Sequence, residues 1–447
     1  MTIKILLAIF ALSSAMAAPG GQSPAVAKPR NIILFVGDGM SVPQRMVAEE
    51  FSRKADLGPL AMNAMPCQAT TRTCSLSSLV TDSAAAATAI ACGEKTVNGA
   101  VGVDKDGKRL ESCAEAAKAA DKKVGIVTSV TINHATPAGF YAHQLHRSML
   151  YEIGLDLVNS DFDLFLGGGL AGAYNATNSA SYAGNLYELA ASKGWTVAAG
   201  RAGFDALAET PGRIWWRSGE QALPYAIDAA GDDTPRLPEL VGFALNRLDD
   251  NFLMMVEGGR IDWAGHANDA ATNLRDLLEL DGAVKVALDF QKTHPDTLII
   301  VTGDHETGGM SMGFAGTGYA FYMERLAAQT CSFEQLDSRL KALGENAAFE
   351  DAAALAAAAS GMTLNGPADN PMALGETDLA SMRRHFDAGD LADKMRRLVS
   401  DRAGVGWTSS SHTGLPALTT SCGPGAERFT GMLDNTDIAK TIKDLVK

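Results

Sequence analysis

At 447 residues with 46% hydrophobic side chains, the chain is long enough to bury a large core, as one big α/β domain or as two domains. Its 52 Asp and Glu against 38 Lys and Arg leave a net charge of −14. That balance argues against nucleic acid or an anionic membrane surface as a partner, since both favour clustered basic residues.

Residues 1–17 read as a signal peptide. Lys4 precedes the apolar residues 5–12, and Ala15-Met16-Ala17 offers a small-residue cleavage site. The apolar stretch is too short to span a membrane, no cysteine stands at the cleavage site for a lipid anchor, and no later segment is a transmembrane candidate. The expectation is export, to a periplasm or beyond. An oxidising compartment makes Cys67, Cys74, Cys92, Cys113, Cys331 and Cys422 available as disulfide partners. Six cysteines allow fifteen pairings, and the sequence does not choose among them, although Cys67 and Cys74 are close along the chain. None has Cys-x-x-Cys metal spacing.

Residues 18–30, rich in Gly, Pro and Ala, are a loose lead-in. The run NIILFV at 31–36 follows, stopped by Gly37-Asp38-Gly39. Runs of this kind suit strands buried on both faces of a parallel sheet, and they recur at 124–130, 162–166, 252–256 and 297–302. Helical patterns lie between them, at 111–121 and 274–292; in the second, Leu274, Leu277, Leu278, Val284 and Leu288 fall largely on one face. The alternation predicts a doubly wound α/β sandwich. Residues 309–406 are Ala-rich and helical in pattern, and read as an insertion capping a core built from 31–308 and 407–447. A last helix is expected at 437–446, and no internal repeat is visible.

In open α/β sheets, chemistry gathers beyond the carboxyl ends of the strands. Three of the five runs end there in metal-ligand residue types: Asp38, Glu257 and Asp304-His305. The segment TDSAAAATAIA at 81–91 predicts a helix carrying a hydroxyl in its first turn, where unpaired N–H groups ease ionisation of a serine oxygen. Ser83 is therefore a candidate nucleophile, with a plain N-cap role for Thr81, Asp82 or Ser83 as the alternative. Asp262 and His266 are four apart, so on a helix they share a face and can hold one divalent ion. His412 stands alone in a Ser/Thr/Gly loop. Residues 167–172, GGGLAG, fit a dinucleotide fingerprint after a strand. The polar, Gly-bearing stretch that follows argues against it, as does Glu188, which lies in a helical stretch and not at a strand end.

Taken together, these motifs resemble a secreted alkaline phosphatase of the metal-dependent serine type. They are Val36-Gly-Asp-Gly-Met40, Thr81-Asp-Ser-Ala-Ala85, Ala135-Thr-Pro-Ala138, Ala142-His-Gln-Leu-His-Arg147, Glu257-Gly-Gly-Arg-Ile-Asp262 with His266, Thr302-Gly-Asp-His305 and His412-Thr-Gly414, in the family's order. The resemblance implies an α/β/α sandwich with a mostly parallel central sheet, often a homodimer. It implies hydrolysis of phosphate monoesters at alkaline pH through a phosphoserine on Ser83. One zinc would be held by Asp262, His266 and His412, and a second by Asp38, Asp304 and His305. A magnesium ion would be held by Asp38, Thr136 and Glu257, and Arg147 would hold phosphate oxygens. Arg260, within one motif, is left as structural.

The residues bear this out chemically. A serine hydroxyl is a weak nucleophile unless a cation favours its alkoxide, and a second ion can take the leaving oxygen and later activate water. Three divalent ions outweigh four carboxylates, so an acidic protein presents a cationic pocket to phosphate. A phosphodiesterase of the same superfamily is the alternative, but the resemblance gives such enzymes a threonine nucleophile and neither the magnesium ligands nor this arginine. A sulfatase would need Cys- or Ser-x-Pro-x-Arg at the nucleophile. A non-enzymatic phosphate- or metal-binding secreted protein would not need Ser83. Two positions depart from a well-known bacterial form of the family: His134 and Trp263 stand where that form has Asp and Lys.

Overall fold

The computed structural model describes residues 28–174, 181–367 and 369–447. The expected signal peptide and most of the lead-in lie outside the described residues. Ten strands form the central sheet: β1 (Asn31–Gly37), β2 (Cys67–Arg72), β3 (Lys123–Thr131), β4 (Leu164–Gly168), β5 (Trp195–Ala199), β6 (Arg213–Arg217), β7 (Phe252–Gly258), β8 (Thr297–Gly303), β9 (Ala417–Cys422) and β10 (Gly431–Asp434). Their spatial order is β10-β2-β9-β8-β1-β7-β3-β4-β6-β5. Only β9 runs against its neighbours, so the sheet is mostly parallel, as expected.

The apolar runs are continuous because both faces of the sheet are covered. In β1, Ile33 and Phe35 point into one hydrophobic cluster and Ile32, Leu34 and Val36 into the other. Each such side chain, fully buried, contributes about 1.5–3 kcal/mol. Helices Val42–Lys54, Leu237–Leu248 and Ala270–Thr293 cover the first face. Helices Ser83–Cys92, Cys113–Ala119, Leu150–Asn159 and Thr436–Val446 cover the second. The result is three layers, α/β/α.

Residues 309–406 contribute helices Met323–Ala327, Phe333–Ala342, Phe349–Ser360, Glu376–Ala388 and Leu391–Ala403, with two-residue strands between them. Their buried faces (Leu326, Leu336, Met382 and Met395 among them) extend the first cluster. The six cysteines are free thiols, four of them buried. Among the described residues no helix is long and apolar enough to cross a membrane.

The GGGLAG segment has a packing explanation. β4 ends at Gly168, and the chain then runs against the 219–222 loop, where a Cβ on Gly168 would lie 2.6 Å from the Gln221 carbonyl oxygen. Leu170 to Tyr174 form turns and not a helix, so no helix N-terminus faces a pyrophosphate there.

Candidate metal centre and nucleophile

Register brings the site together. Gly37 of β1 pairs with Gly258 of β7 on one side and with Gly303 of β8 on the other, so the three strands end level. Asp38 follows β1, Glu257 lies at the end of β7, and Asp304-His305 follow β8. β3 pairs alongside β7, with Thr128 opposite Glu257, and leads into the turn carrying His134 and Thr136. Because β9 runs antiparallel, its start lies at this same edge, and His412 arrives there ahead of it. His412-Thr413 pair with Glu306-Thr307. The turn after β1 is tight: Gly39 has φ +70°, and a Cβ there would sit 2.8 Å from Thr307 Oγ1 and 2.9 Å from Asp262 Cα.

Asp38, Asp304 and His305 form one cluster, all fully buried. His305 Nε2 lies 3.4 Å from Asp38 Oδ1 and 3.2 Å from Asp304 Oδ2, and neither oxygen has a hydrogen-bond partner. Asp304 Oδ1 is occupied by the Gly39 and His305 amides at 3.0 and 2.9 Å. Thr307 Oγ1 donates to Asp262 Oδ1 at 2.5 Å and accepts from His305 Nδ1 at 3.3 Å, which leaves His305 Nε2 as the lone-pair nitrogen. Ser83 Oγ stands 3.1 Å from that nitrogen. Ser83 is the first residue of its helix; the cap is Asp82, whose Oδ1 accepts from the Ala85 amide at 3.0 Å. Burial, then repulsion from Asp304, Asp262 and Glu257, holds Asp38 well above the carboxylate range. Burial, then Asp262, does the same to Asp304, while burial and the nearby His412 and His266 rings hold His305 well below the usual imidazole value.

Asp262, His266 and His412 form a second cluster, two of them one turn apart on helix Arg260–His266. His266 Nδ1 donates to the Ser410 carbonyl at 2.7 Å and His412 Nδ1 to the Thr81 carbonyl at 2.9 Å. Their Nε2 atoms then both carry lone pairs, yet face each other at 3.1 Å beside Asp262. Between two neutral rings a cation relieves that opposition of lone pairs, and His nitrogen with carboxylate oxygen is a donor set suited to zinc.

A third cluster joins Asp38, His134 and Glu257. His134 Nδ1 and Glu257 Oε1 are buried and unpartnered, 3.9 Å apart, and Thr136 Oγ1 donates to Asp38 Oδ2 at 3.1 Å. Arg147 reaches in from the side, Nη1 to Asp82 Oδ2 at 3.4 Å and Nη2 to His134 Nε2 at 3.1 Å. Trp263 sets its ring edge-on to His134, centroids 6.0 Å apart. The candidate nucleophile, the candidate metal ligands, Arg147, His134 and Trp263 thus stand together beyond the carboxyl ends of the central strands.

The family model for alkaline phosphatase matches residues 29–447. The chain belongs to the alkaline phosphatase family. It is 32% identical to alkaline phosphatase 3 of Bacillus subtilis over 92% of this chain and 88% of that one. Its fold is similar to the cold-active alkaline phosphatase of Shewanella sp., at TM-score 0.82 and 29% identity over 93% of this chain and 100% of that one. It is also similar to a histidine-to-aspartate mutant of the alkaline phosphatase from the Antarctic bacterium TAB5, with Mg bound in its M3 site, at TM-score 0.68 and 26% identity over 94% and 99% of the two chains. The chain is therefore a metal-dependent enzyme that hydrolyses phosphate monoesters, on an alkaline-phosphatase-like fold.

Three buttresses of this phosphatase site escaped the sequence reading. Glu306 is fully buried and accepts from Gln44 Nε2 at 2.6 Å, from the Gly309 amide at 3.0 Å and from Thr413 Oγ1, tying the His305 turn to the His412 loop. Thr307 bridges His305 and Asp262, and Thr128 donates to Glu257 Oε2. The available signal was Glu306-Thr307 following Asp304-His305 directly.

Proposed function

We propose that Asp38, Asp304 and His305 hold one zinc ion and Asp262, His266 and His412 a second. Asp38, Thr136 and Glu257 hold magnesium, with His134 beside it. When bound, the ions favour the ionised form of the attacking and departing oxygens and offset the charge of the phosphate. Ser83 Oγ attacks phosphorus, the bond to the leaving alcohol breaks, and the phosphoserine is then hydrolysed by water with inorganic phosphate as product. The amino end of the Ser83 helix favours the negative oxygen. Arg147, steadied by Asp82, offers a planar fork to two non-bridging oxygens.

One observation carries this reading: buried carboxylate oxygens with nothing to pair with, namely Asp38 Oδ1, Asp304 Oδ2 and Glu257 Oε1. Buried atoms of this kind are costly unless a cation meets them. The same proposal takes 31–308 and 407–447 as the catalytic domain, 309–406 as a helical cap, residues 1–17 as an export signal to the periplasm or beyond, and a homodimer as the assembly.

The test is phosphate release from a monoester and a diester at alkaline pH, before and after chelation and with zinc and magnesium restored. The monoester should be favoured, with activity lost on chelation and recovered with the ions. A preferred diester, or turnover indifferent to chelation, would overturn the proposal.

A further inference from the structure

Arg260 is only 7% exposed, yet no anion holds its guanidinium closely. Nε is buried without a hydrogen-bond partner, and Glu334, 4.0 Å from Nη1, is itself mostly exposed on helix Phe333–Ala342. What holds the group is aromatic. Cζ lies 3.7 Å from the centroid of the Tyr225 ring and 4.9 Å from that of Trp263, both within cation–π reach of about 6 Å. A guanidinium buried on these terms costs free energy that an apolar side chain of the same length would avoid. The charge therefore has a use at this place, and the two rings are what it touches.

Those rings stand apart from the main core. Tyr225, Ile227 and Ala264, with Trp263 packed against them, form a small cluster separate from the two that cover the sheet. The Gly259 and Arg260 amides donate to Ser129 Oγ of β3 at 2.9 and 3.3 Å, so this helix starts against the strand that leads to His134. Trp263 then meets His134 edge-on, centroids 6.0 Å apart and planes at 73°. His266 and His412 are each oriented by a backbone carbonyl on Nδ1, and His134 is not. Its contact with Arg147 needs a lone pair on Nε2, which an ion on Nδ1 would replace with a hydrogen. The Trp263 edge is the restraint that survives. We propose that Arg260 is a positioning residue for the third ion: clamped between Tyr225 and Trp263, it holds the Trp263 ring against His134 and so presents Nδ1 to the ion. The proposal rests on the reading of Asp38, Thr136 and Glu257 as the third site, with His134 beside it, and deepens it.

The experiment titrates magnesium into zinc-loaded protein by calorimetry, with zinc and magnesium per chain counted by elemental analysis. Arg260→Met keeps the length of the side chain and removes its charge. Magnesium affinity should fall by about tenfold, the low end of what an outer-shell partner of a metal ligand contributes, while the zinc content stays that of the wild type. Tyr225→Leu removes the other ring face and leaves the guanidinium, and should give the same selective loss should the methionine variant fold poorly. In a Trp263→Ala background, Arg260→Met should cost less than about twofold, because the ring it positions is gone. A merely structural role would not produce that coupling. Unchanged magnesium affinity in Arg260→Met, a loss of zinc alongside magnesium, or the same loss with Trp263 already removed overturns the proposal. A wild type that takes up zinc but no third ion would sink the assignment of the third site itself, and this inference with it.

Discussion

His134 and Arg147 meet at 3.1 Å, imidazole Nε2 to guanidinium Nη2. A guanidinium only donates, so Nε2 is the lone-pair nitrogen and the hydrogen sits on Nδ1, which faces Asp38 Oδ2 and Glu257 Oε1 at 3.9 Å each. A cation on Nδ1 would reverse this, moving the hydrogen to Nε2 and ending the contact. Binding of the third ion through His134 and capture of Arg147 by His134 thus exclude one another.

That exclusion bears on the two positions where this chain departs from the bacterial form. An aspartate at 134 would hold magnesium through water, and a lysine at 263 would add a charge near phosphate. The double variant His134→Asp with Trp263→Lys should be inhibited more strongly by inorganic phosphate and depend more on magnesium. Inhibition constants and magnesium titrations check it, and no change in either would leave His134 and Trp263 as packing residues.

Ser83→Ala removes a hydroxyl that is 1% exposed and held against His305, without touching the Asp82 cap. Turnover should fall by about a thousandfold or more, and no phosphoprotein should be trapped by acid quenching. The melting temperature should stay close to that of the wild type. A trapped phosphoprotein in this variant would show that another residue is the nucleophile.

Chelation should destabilise the fold as well as inactivate the enzyme. Asp38 and Asp304 are buried beside Asp262 and Glu257, and burial followed by that mutual repulsion is what holds both pKa values up. Without cations the ionised cluster opposes folding. The melting temperature should drop on chelation at pH 8 and recover with zinc and magnesium. A metal-free protein that melts at the same temperature would contradict the clusters as metal sites.

The long apolar strands β1, β3, β4, β7 and β8 were legible because burial on both faces leaves a continuous hydrophobic run. β9, ALTTSC, was hidden although five of its six residues are buried. Its hydroxyls satisfy one another across strands, Thr419 Oγ1 lying 2.6 Å from Thr71 Oγ1 and 2.7 Å from Thr302 Oγ1, so burial left no apolar signature. β2, CQATTR, buries only two of its six residues, and β6, RIWWR, has basic ends. Among the proposed ligands, Asp38, Glu257, Asp304 and His305 were legible from residue type at strand ends, Asp262 and His266 from helical spacing, and Thr136 and His412 only through the resemblance. Glu306 and Thr307 were not, because their partners are fixed only when the His412 loop returns from the far end of the chain.

A pH-dependent ion pair lies away from the metals. His143 Nε2 is 3.0 Å from Glu115 Oε1, and Nδ1 is 2.9 Å from the Gly102 carbonyl. Burial pulls His143 down, but these two contacts outweigh it and raise the imidazole above 6.5. Burial pushes Glu115 up, yet His143 and the Ser112 amide bring it below 4.5. The histidine's contribution is full below pH 6.5 and is lost as pH rises through its raised folded value. The glutamate's is full above pH 4.5 and is lost as pH falls through its lowered folded value. Glu115→Gln should therefore cost more stability to urea at pH 6 than at pH 9, by up to about 1 kcal/mol. Equal losses at the two pH values would place the pairing elsewhere.

The role proposed for Arg147 distinguishes the two superfamily activities. Its Nη1 rests on Asp82 Oδ2 at 3.4 Å, a long contact that holds the guanidinium in place while leaving donors free for a ligand. A monoester dianion presents non-bridging oxygens that a planar fork can take two at a time. A diester carries one charge fewer, and its second substituent occupies one of those oxygens. Losing a charge-assisted contact costs roughly 1.5–3 kcal/mol, or about ten- to a hundredfold in rate. Arg147→Ala should therefore depress kcat/KM for a monoester by that factor and for a diester by distinctly less, narrowing the preference between them. Arg147→Lys, which keeps the charge but not the fork, should fall between wild type and alanine for the monoester. Equal losses on both substrates would mean that Arg147 acts on the site as a whole, through Asp82 and His134, and not on the oxygens that distinguish a monoester.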